Sequence, residues 1–248
     1  MKQLKPRFSI ITVTYNAQEY LERTILSVLS QNYPHIEYII VDGSSTDSTL
    51  ALVDKYKQRI DTVVSEPDQG LYDAMNKGIK LAQGDYLCFL NAGDLFYSST
   101  TLTDITNSLK KYSKLPDVLY GQTAIVNQNG QFLRMRRHTA PEQLDWKSFK
   151  NGMLVCHQAF FPKRELVELY NLKYRFSSDF DWCINILKKS KQIHYTELTL
   201  IKYLNEGLTT ENQHKSLLER FSIMSKHYGL PETILRHIGF VFRHFIKK

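Results

Sequence analysis

No uninterrupted apolar segment of this chain approaches the ~20 residues needed to cross a bilayer. The N-terminal stretch MKQLKPRFSIITVTYN runs straight into a strand-like pattern with no separate cleavage region, so no signal peptide is read. Cysteine is scarce. Cys88, Cys156 and Cys183 are odd in number, widely spaced and set in apolar surroundings, which favours reduced core thiols in a cytoplasmic protein over disulfides or a zinc site. The first strand is followed by neither G-x-G-x-x-G nor G-x-x-x-x-G-K-[ST], so a dinucleotide fold and a P-loop are both unsupported. No linker, low-complexity segment or internal repeat interrupts the chain.

What is present is ordinary globular material. The 248 residues suffice for one large domain or two small ones, and a 42% hydrophobic fraction excludes wholesale disorder. A formal charge of +7 suggests an anionic partner, whether nucleotide, lipid headgroup or nucleic acid. Nucleic acid is poorly supported, because the positive charge is scattered or gathered at the tail and no recognised module motif accompanies it.

The first hundred residues alternate between two periodicities. FSIITV (8–13) reads as a strand, and Asn16 with Glu19 three residues on reads as a capping-box-like helix start, with Leu21, Ile25, Val28 and Leu29 on one face. IEYIIV ends at Asp42, GSSTDST opens a second helix through Asp54 and Tyr56, and residues 60–65 form a third strand. Leu71, Met75, Ile79 and Ala82 line a third helix, and YLCFLNAGD runs as a buried strand that stops on Asp94. Strands separated by helices imply parallel βαβ units, whose ligands collect outside the carboxyl ends of the strands. Asn16, Asp42 and Asp94 therefore share one rim.

The second half is less regular. Residues 118–136 read as a β-hairpin turning at Asn127-Gln128-Asn129-Gly130. GMLVCHQAFF (152–161) reads as a strand and SSDFDWCINILKK (177–189) as a helix with Phe180, Cys183, Ile184 and Leu187 inward. IHYTELTLIKYL follows as a strand, then a turn at Gly207 and a helix from about Glu211 to His227. One continuous α/β domain with a helical tail is the economical organisation.

Several residues carry chemistry. Thr14-Tyr15-Asn16 supplies a hydroxyl, an aromatic face and an amide, which suit a base and ribose better than a bare phosphate. Asp42 can accept hydrogen bonds from a pyrimidine N–H or a ribose hydroxyl, or with Ser44 merely cap the next helix. Asp94 can bind a divalent cation whose other ligands are diphosphate oxygens and water, with Gly93 allowing close backbone approach; a plain turn accounts for the same residues. Ser178-Asp179-Phe180-Asp181 opens a helix, where Asp179 can be an N-cap and Asp181 a solvated first-turn acid. His157-Gln158 is an unusual polar pair after an apolar run, placed to touch phosphates, metal or acceptor, or to serve structure. Asn76 sits on the helix after Gly70.

VTYN (13–16), QNYP (31–34), VDGSSTDST (41–49), SEPDQGLYDAMNKGIKLAQGDYLCFLNAGD (65–94) and HQ (157–158), in this order and spacing, resemble glycosyltransferase family 2, most closely bacterial polysaccharide enzymes of the colanic-acid type. The similarity is dense over residues 8–96 and thinner over 150–210. It implies the nucleotide-diphospho-sugar transferase (A-type) α/β fold: a mostly parallel central sheet flanked by helices, here with a C-terminal amphipathic helix. Residues 1–210 would be the catalytic domain, 1–115 the nucleotide-sugar half and 116–210 the acceptor half, with 211–248 a helical extension. The implied reaction is inverting transfer from a nucleotide-diphosphate donor, UDP-linked by expectation, to a glycan or polyprenyl-linked hydroxyl in bacterial surface polysaccharide synthesis. Val13 (through its main chain), Tyr15, Asp42 and Asn76 would hold the nucleoside, Asp94 a Mn²⁺ or Mg²⁺ ion, and Asp179 would be the general base. His157, Gln158 and Asp181 would contact phosphate or acceptor. The sequence departs from the pattern where Gly93 replaces the acid before Asp94, and Ser178 the Glu before Asp179. That leaves two rival expectations, a degenerate transferase that only binds nucleotide sugar or assembles with partners, and a sugar-nucleotide nucleotidyltransferase. The latter lacks its Gly-rich basic loop.

Residues 231–248, PETILRHIGFVFRHFIKK, place Ile234, Leu235, Ile238, Val241, Phe242, Phe245 and Ile246 on one helix face and basic residues on the other. Such a helix either lies on a membrane surface or packs on the domain. Family resemblance favours a peripheral position on the cytoplasmic face of the inner membrane.

Overall fold

The computed structural model describes residues 4–205 and 213–246, with side chains described up to residue 240. Four parallel strands, β1 (Phe8–Thr14), β2 (Ile36–Asp42), β3 (Thr62–Ser65) and β4 (Tyr86–Phe89), form a sheet in the order β3-β2-β1-β4. Every residue of β1 is buried, as an apolar run covered on both faces requires. Its alternate side chains feed two cores. Ile11 and Val13 pack with Met75, Phe180 and Trp182, while Phe8 and Ile10 pack with Leu21, Ile25 and Leu102. The helices on these faces are α1 (Leu21–Leu29), α2 (Thr49–Tyr56), α3 (Leu71–Leu81), α4 (Thr101–Ser108) and α5 (Ser178–Lys189).

A second sheet has the order β5-β9-β6-β7, built from β5 (Leu95–Phe96), β6 (Val118–Val126), β7 (Phe132–Met135) and β9 (Ile193–Leu204), with β8 (Phe160–Pro162) also paired to β6. β6 and β9 run parallel and the other pairs antiparallel. The β6–β7 hairpin turns where expected. Asn127 Oδ1 accepts from the N–H groups of Asn129 and Gln131, and Gly130 takes φ 74°, a conformation that favours glycine.

Two local expectations are corrected. Asn16 does not start α1, which begins at Leu21. Its φ is 47°, its side-chain oxygen accepts from Thr46 N–H (2.9 Å), and its own N–H donates to Ser45 Oγ (2.8 Å). The amide side chain thus ties the loop after β1 to the loop after β2, competing with the helix for the same groups. Residues 152–161 are not one strand. They pass from Gly152 (φ 100°) to a 3₁₀ turn at His157–Ala159, and only then enter β8. A short apolar run carries no period by which strand and turn can be told apart.

The Gly207 turn and Glu211 lie outside the described residues. The chain is described again in α6 (Gln213–Tyr228) and α7 (Leu230–Ile246), separated by Gly229 at φ 85°, a helix-ending glycine. Ile223 and Met224 of α6 are buried in the same core as Met75 and Phe180. On α7, Thr233 is buried and Phe240 packs against that core, whereas Ile234, Leu235 and Ile238 are exposed. Among the described residues no helix is long and apolar enough to cross a membrane. The three cysteines are free and buried.

Candidate active site

A cavity of about 610 Å³ opens at the carboxyl ends of β1 and β4 and is closed by the second sheet, α3, α5 and α6. Val13, Tyr15, Asp94, His157, Gln158 and Asp179 all line it. Residues far apart in sequence therefore meet in one space.

Asp94 leaves the core just before β5. It is 3% exposed, its Oδ2 accepts from Gln158 Nε2 (2.9 Å) and its Oδ1 from the Leu204 N–H (3.0 Å) at the end of β9. Burial pushes its carboxyl up to about 6, only partly offset by these two bonds and by the pull of His157 and Arg23. Gly93 beside it has φ 101°, and a Cβ there would lie 2.7 Å from a methyl of Leu204. A glycine suits this backbone, and the missing acid at 93 is the counterpart of that geometry.

Asp179 stands in the first turn of α5. Tyr72 OH on α3 donates to its Oδ1 (3.0 Å), and His157 Nδ1 lies 3.3 Å from its Oδ2. Burial alone would raise this carboxyl. The bond and attraction from His157, the Arg220 guanidinium and the Tyr72 hydroxyl outweigh it and hold the group below the usual carboxylate range. The result is an ionised carboxylate aimed into the cavity.

Three predicted contacts lie elsewhere. Asp42 is fully buried outside the cavity lining, where it accepts from Ser45 N–H, Ser45 Oγ and Ser65 Oγ. It does not cap the next helix either, since α2 is preceded by Ser48; its carboxylate instead ties the loop after β2 to β3. Asn76, expected at the donor, instead clasps the backbone of Tyr170 through both ends of its amide (3.0 and 2.6 Å), so a buried turn rather than the donor claims it. Asp181, expected at the acceptor, faces α6 and pairs with His227 and Lys226. These partners hold its carboxyl low against the effect of burial.

The cavity also holds residues that sequence reading missed. Arg136 follows β7, donates to the carbonyls of Met153 (2.8 Å) and Leu154 (3.2 Å), and lines the cavity. Arg220 reaches in from α6 with its Nε buried and without a hydrogen-bond partner. A usable signal existed for Arg220: it lies at helical spacing between buried Ser216 and buried Ile223 and Met224, a charged residue on an inward stripe.

The donor set bears on a divalent cation. Asp94 keeps lone pairs beyond its two hydrogen bonds, and Asn91 Oδ1 and His157 Nε2, both buried without a hydrogen-bond partner, line the same cavity. Among the described residues no three His, Cys, Asp or Glu side chains cluster as a metal cage. A partial set of this kind fits a cation completed by diphosphate oxygens and water.

A family model, "Glycosyl transferase family 2", matches residues 9–170. The chain belongs to that family. A relative from Mycobacterium bovis, a "PGL/p-HBAD biosynthesis glycosyltransferase", is 32% identical over 239 residues, covering 93% of this chain and 89% of the relative. The "putative teichuronic acid biosynthesis glycosyltransferase TuaG" of Bacillus subtilis is 31% identical over 193 residues, covering 76% of this chain and 75% of its own. Among solved structures, S. aureus TarS 1-349 in complex with UDP-GlcNAc superposes with a TM-score of 0.72 at 18% identity, covering 94% of this chain and 73% of that one. The mannosyltransferase PcManGT from Pyrobaculum calidifontis, in complex with GDP-Man and Mn²⁺, gives 0.61 at 16% identity, covering 94% and 74%. At these identities the structural likeness is one of fold, the A-type α/β architecture of family 2. The chain is a glycosyltransferase.

Proposed function

We propose that this family 2 glycosyltransferase moves a sugar, with inversion, from a UDP-sugar to a hydroxyl of a glycan or polyprenyl-linked acceptor. The observation that carries the reading is that Asp94 and Asp179, contributed by opposite halves of the chain, open into one cavity together with Arg136 and Arg220. The UDP preference draws on the TarS complex, whose ligand is UDP-GlcNAc. Tyr15, 63% exposed at the cavity, offers its ring to the nucleobase, with the Val13 main chain beside it.

In this reading Asp179 takes the proton of the acceptor hydroxyl on the face away from the departing diphosphate. Tyr72 and His157 hold its carboxylate in place. Arg220 and Arg136 offset the negative charge that grows on the leaving group. A divalent cation, held by Asp94 with His157 Nε2 and Asn91 Oδ1 nearby, would supply further neutralisation of the diphosphate when bound. Gln158 serves by orienting Asp94.

The test is UDP release with a panel of UDP-sugars and acceptors. Asp94→Ala and Asp179→Asn are each expected to lower turnover by about 100-fold or more. Transfer left intact by both substitutions overturns the role assignments, and metal-dependent donor binding with no turnover on any acceptor favours a binding subunit instead.

The exposed Ile234, Leu235 and Ile238 beside Arg236 support a surface position on an anionic bilayer through α7. Leu235→Glu with Ile238→Glu should abolish sedimentation with anionic vesicles while leaving the melting temperature unchanged; vesicle binding that survives removes the reading.

A further inference from the structure

We propose that a second cavity, adjoining the first, is the acceptor subsite and takes an uncharged sugar residue of a glycan chain. The inference rests on the transferase reading above and adds the chemistry of the acceptor. The second cavity measures about 540 Å³ and shares Asp68, Gly70, Leu71 and Tyr72 with the first. Tyr72 is the hinge of the argument, because its hydroxyl donates to Asp179 Oδ1 at 3.0 Å while its residue lines both spaces. A glycan whose reacting sugar lies beside Asp179 in the first cavity would place its next sugar in the second. A Cβ built on Gly70, which lines both cavities, would meet nothing within 4 Å.

The lining states the ligand class. Asp68 and Asp73 each spend one oxygen on a main-chain N–H, of Gly70 (2.8 Å) and Gln69 (3.0 Å), which fixes the carboxylates and leaves the second oxygens as acceptors. The exposed Arg175 and Gln69 add donors, and Tyr174 and Leu172 add an apolar wall. Alternating carboxylate, amide and guanidinium groups match the vicinal hydroxyls of a sugar, and the apolar wall matches its C–H face. Asp68 and Asp73 are offset by Arg175 and by Lys77, whose Nζ lies 3.9 Å from Asp73 Oδ2, so the site offers little net positive charge to recruit a phosphate or uronate. So many polar groups also disfavour an isoprenoid chain. The acceptor consequently carries at least one neutral sugar beyond the one that reacts.

The experiment measures UDP release with a turned-over UDP-sugar and p-nitrophenyl glycosides bearing one or two neutral sugars. The two-sugar acceptor is expected to show a KM roughly tenfold lower than the one-sugar acceptor. Gln69→Trp, which fills the cavity, and Arg175→Ala should each raise the two-sugar KM by about tenfold while the donor KM moves less than about twofold. Equal KM values for the two acceptors, or variants that change the donor KM instead, overturn the subsite. Wild-type protein that binds UDP yet releases it from no UDP-sugar, even to water, would count against the transferase reading itself, a result distinct from failure of the subsite alone.

Discussion

At the scale of single residues the site is a pair of acids given opposite environments. Asp94 has few charged neighbours and a carboxyl raised to about 6, while Asp179 is held low by His157, Arg220 and Tyr72. The sign for Asp94 follows from linkage. Its unfolded value is near 3.8, so below that pH both states are protonated and nothing is lost; as pH rises through about 6 the folded state must ionise a buried group, and stability falls. Asp94→Asn should therefore melt higher than the parent at pH 7.5 in chelator, by on the order of 2–3 kcal/mol at most, with the difference vanishing towards pH 4. Thermal melts across that range check it, and the same variant should be inactive. For Asp179 the direction reverses. His157→Ala removes the partner that most lowers its carboxyl, so the acidic limb of the kcat/KM profile should move to higher pH. A limb that stays in place would remove His157 from this role.

At the scale of elements, α6 joins fold to chemistry. Its Ile223 and Met224 are part of the core, its Glu219 side chain accepts from the N–H groups of Arg175 and Phe176 (2.8 and 2.9 Å), and its Arg220 reaches the cavity. Ending the chain at residue 210 should abolish cooperative unfolding, whereas Arg220→Ala in the intact chain should fold normally and bind UDP roughly tenfold more weakly by calorimetry. The alternation of β1 to β4 with α1 to α3 was legible because β1, β2 and β4 are largely apolar runs and the helices between them are amphipathic. The segment around His157 was not. Its turn is set by Gln158 reaching across to Asp94, a contact with no local trace. Asn76 and Asp181 were misplaced for a related reason: a polar residue on a helix has one sequence signature whether it faces a ligand, as Asp179 does, or a neighbouring backbone or helix.

At the scale of the molecule, the cleft lies between a purely parallel sheet and a mixed one, and each sheet brings one part of the charge. β1 and β4 deliver the Asp94 side, and the hairpin of β6 and β7 delivers Arg136. Ligand that bridges both parts should stabilise the whole. UDP with Mn²⁺ at a hundredfold excess over its Kd should add about 2.7 kcal/mol, a rise on the order of 5–10 °C in melting temperature, and Asp94→Ala should remove the metal-dependent share. The net charge of +7 should make donor association fall as ionic strength rises.

The bond from the Leu204 main chain to Asp94 has one more consequence. Because one oxygen of the acid is held by a peptide N–H and the other by Gln158, a smaller side chain at position 204 would change the shape offered to a donor without removing either bond. Proline is the exception, since it alone lacks the hydrogen. Selectivity for different sugars can thus drift at this site while the charge beside it stays fixed in place.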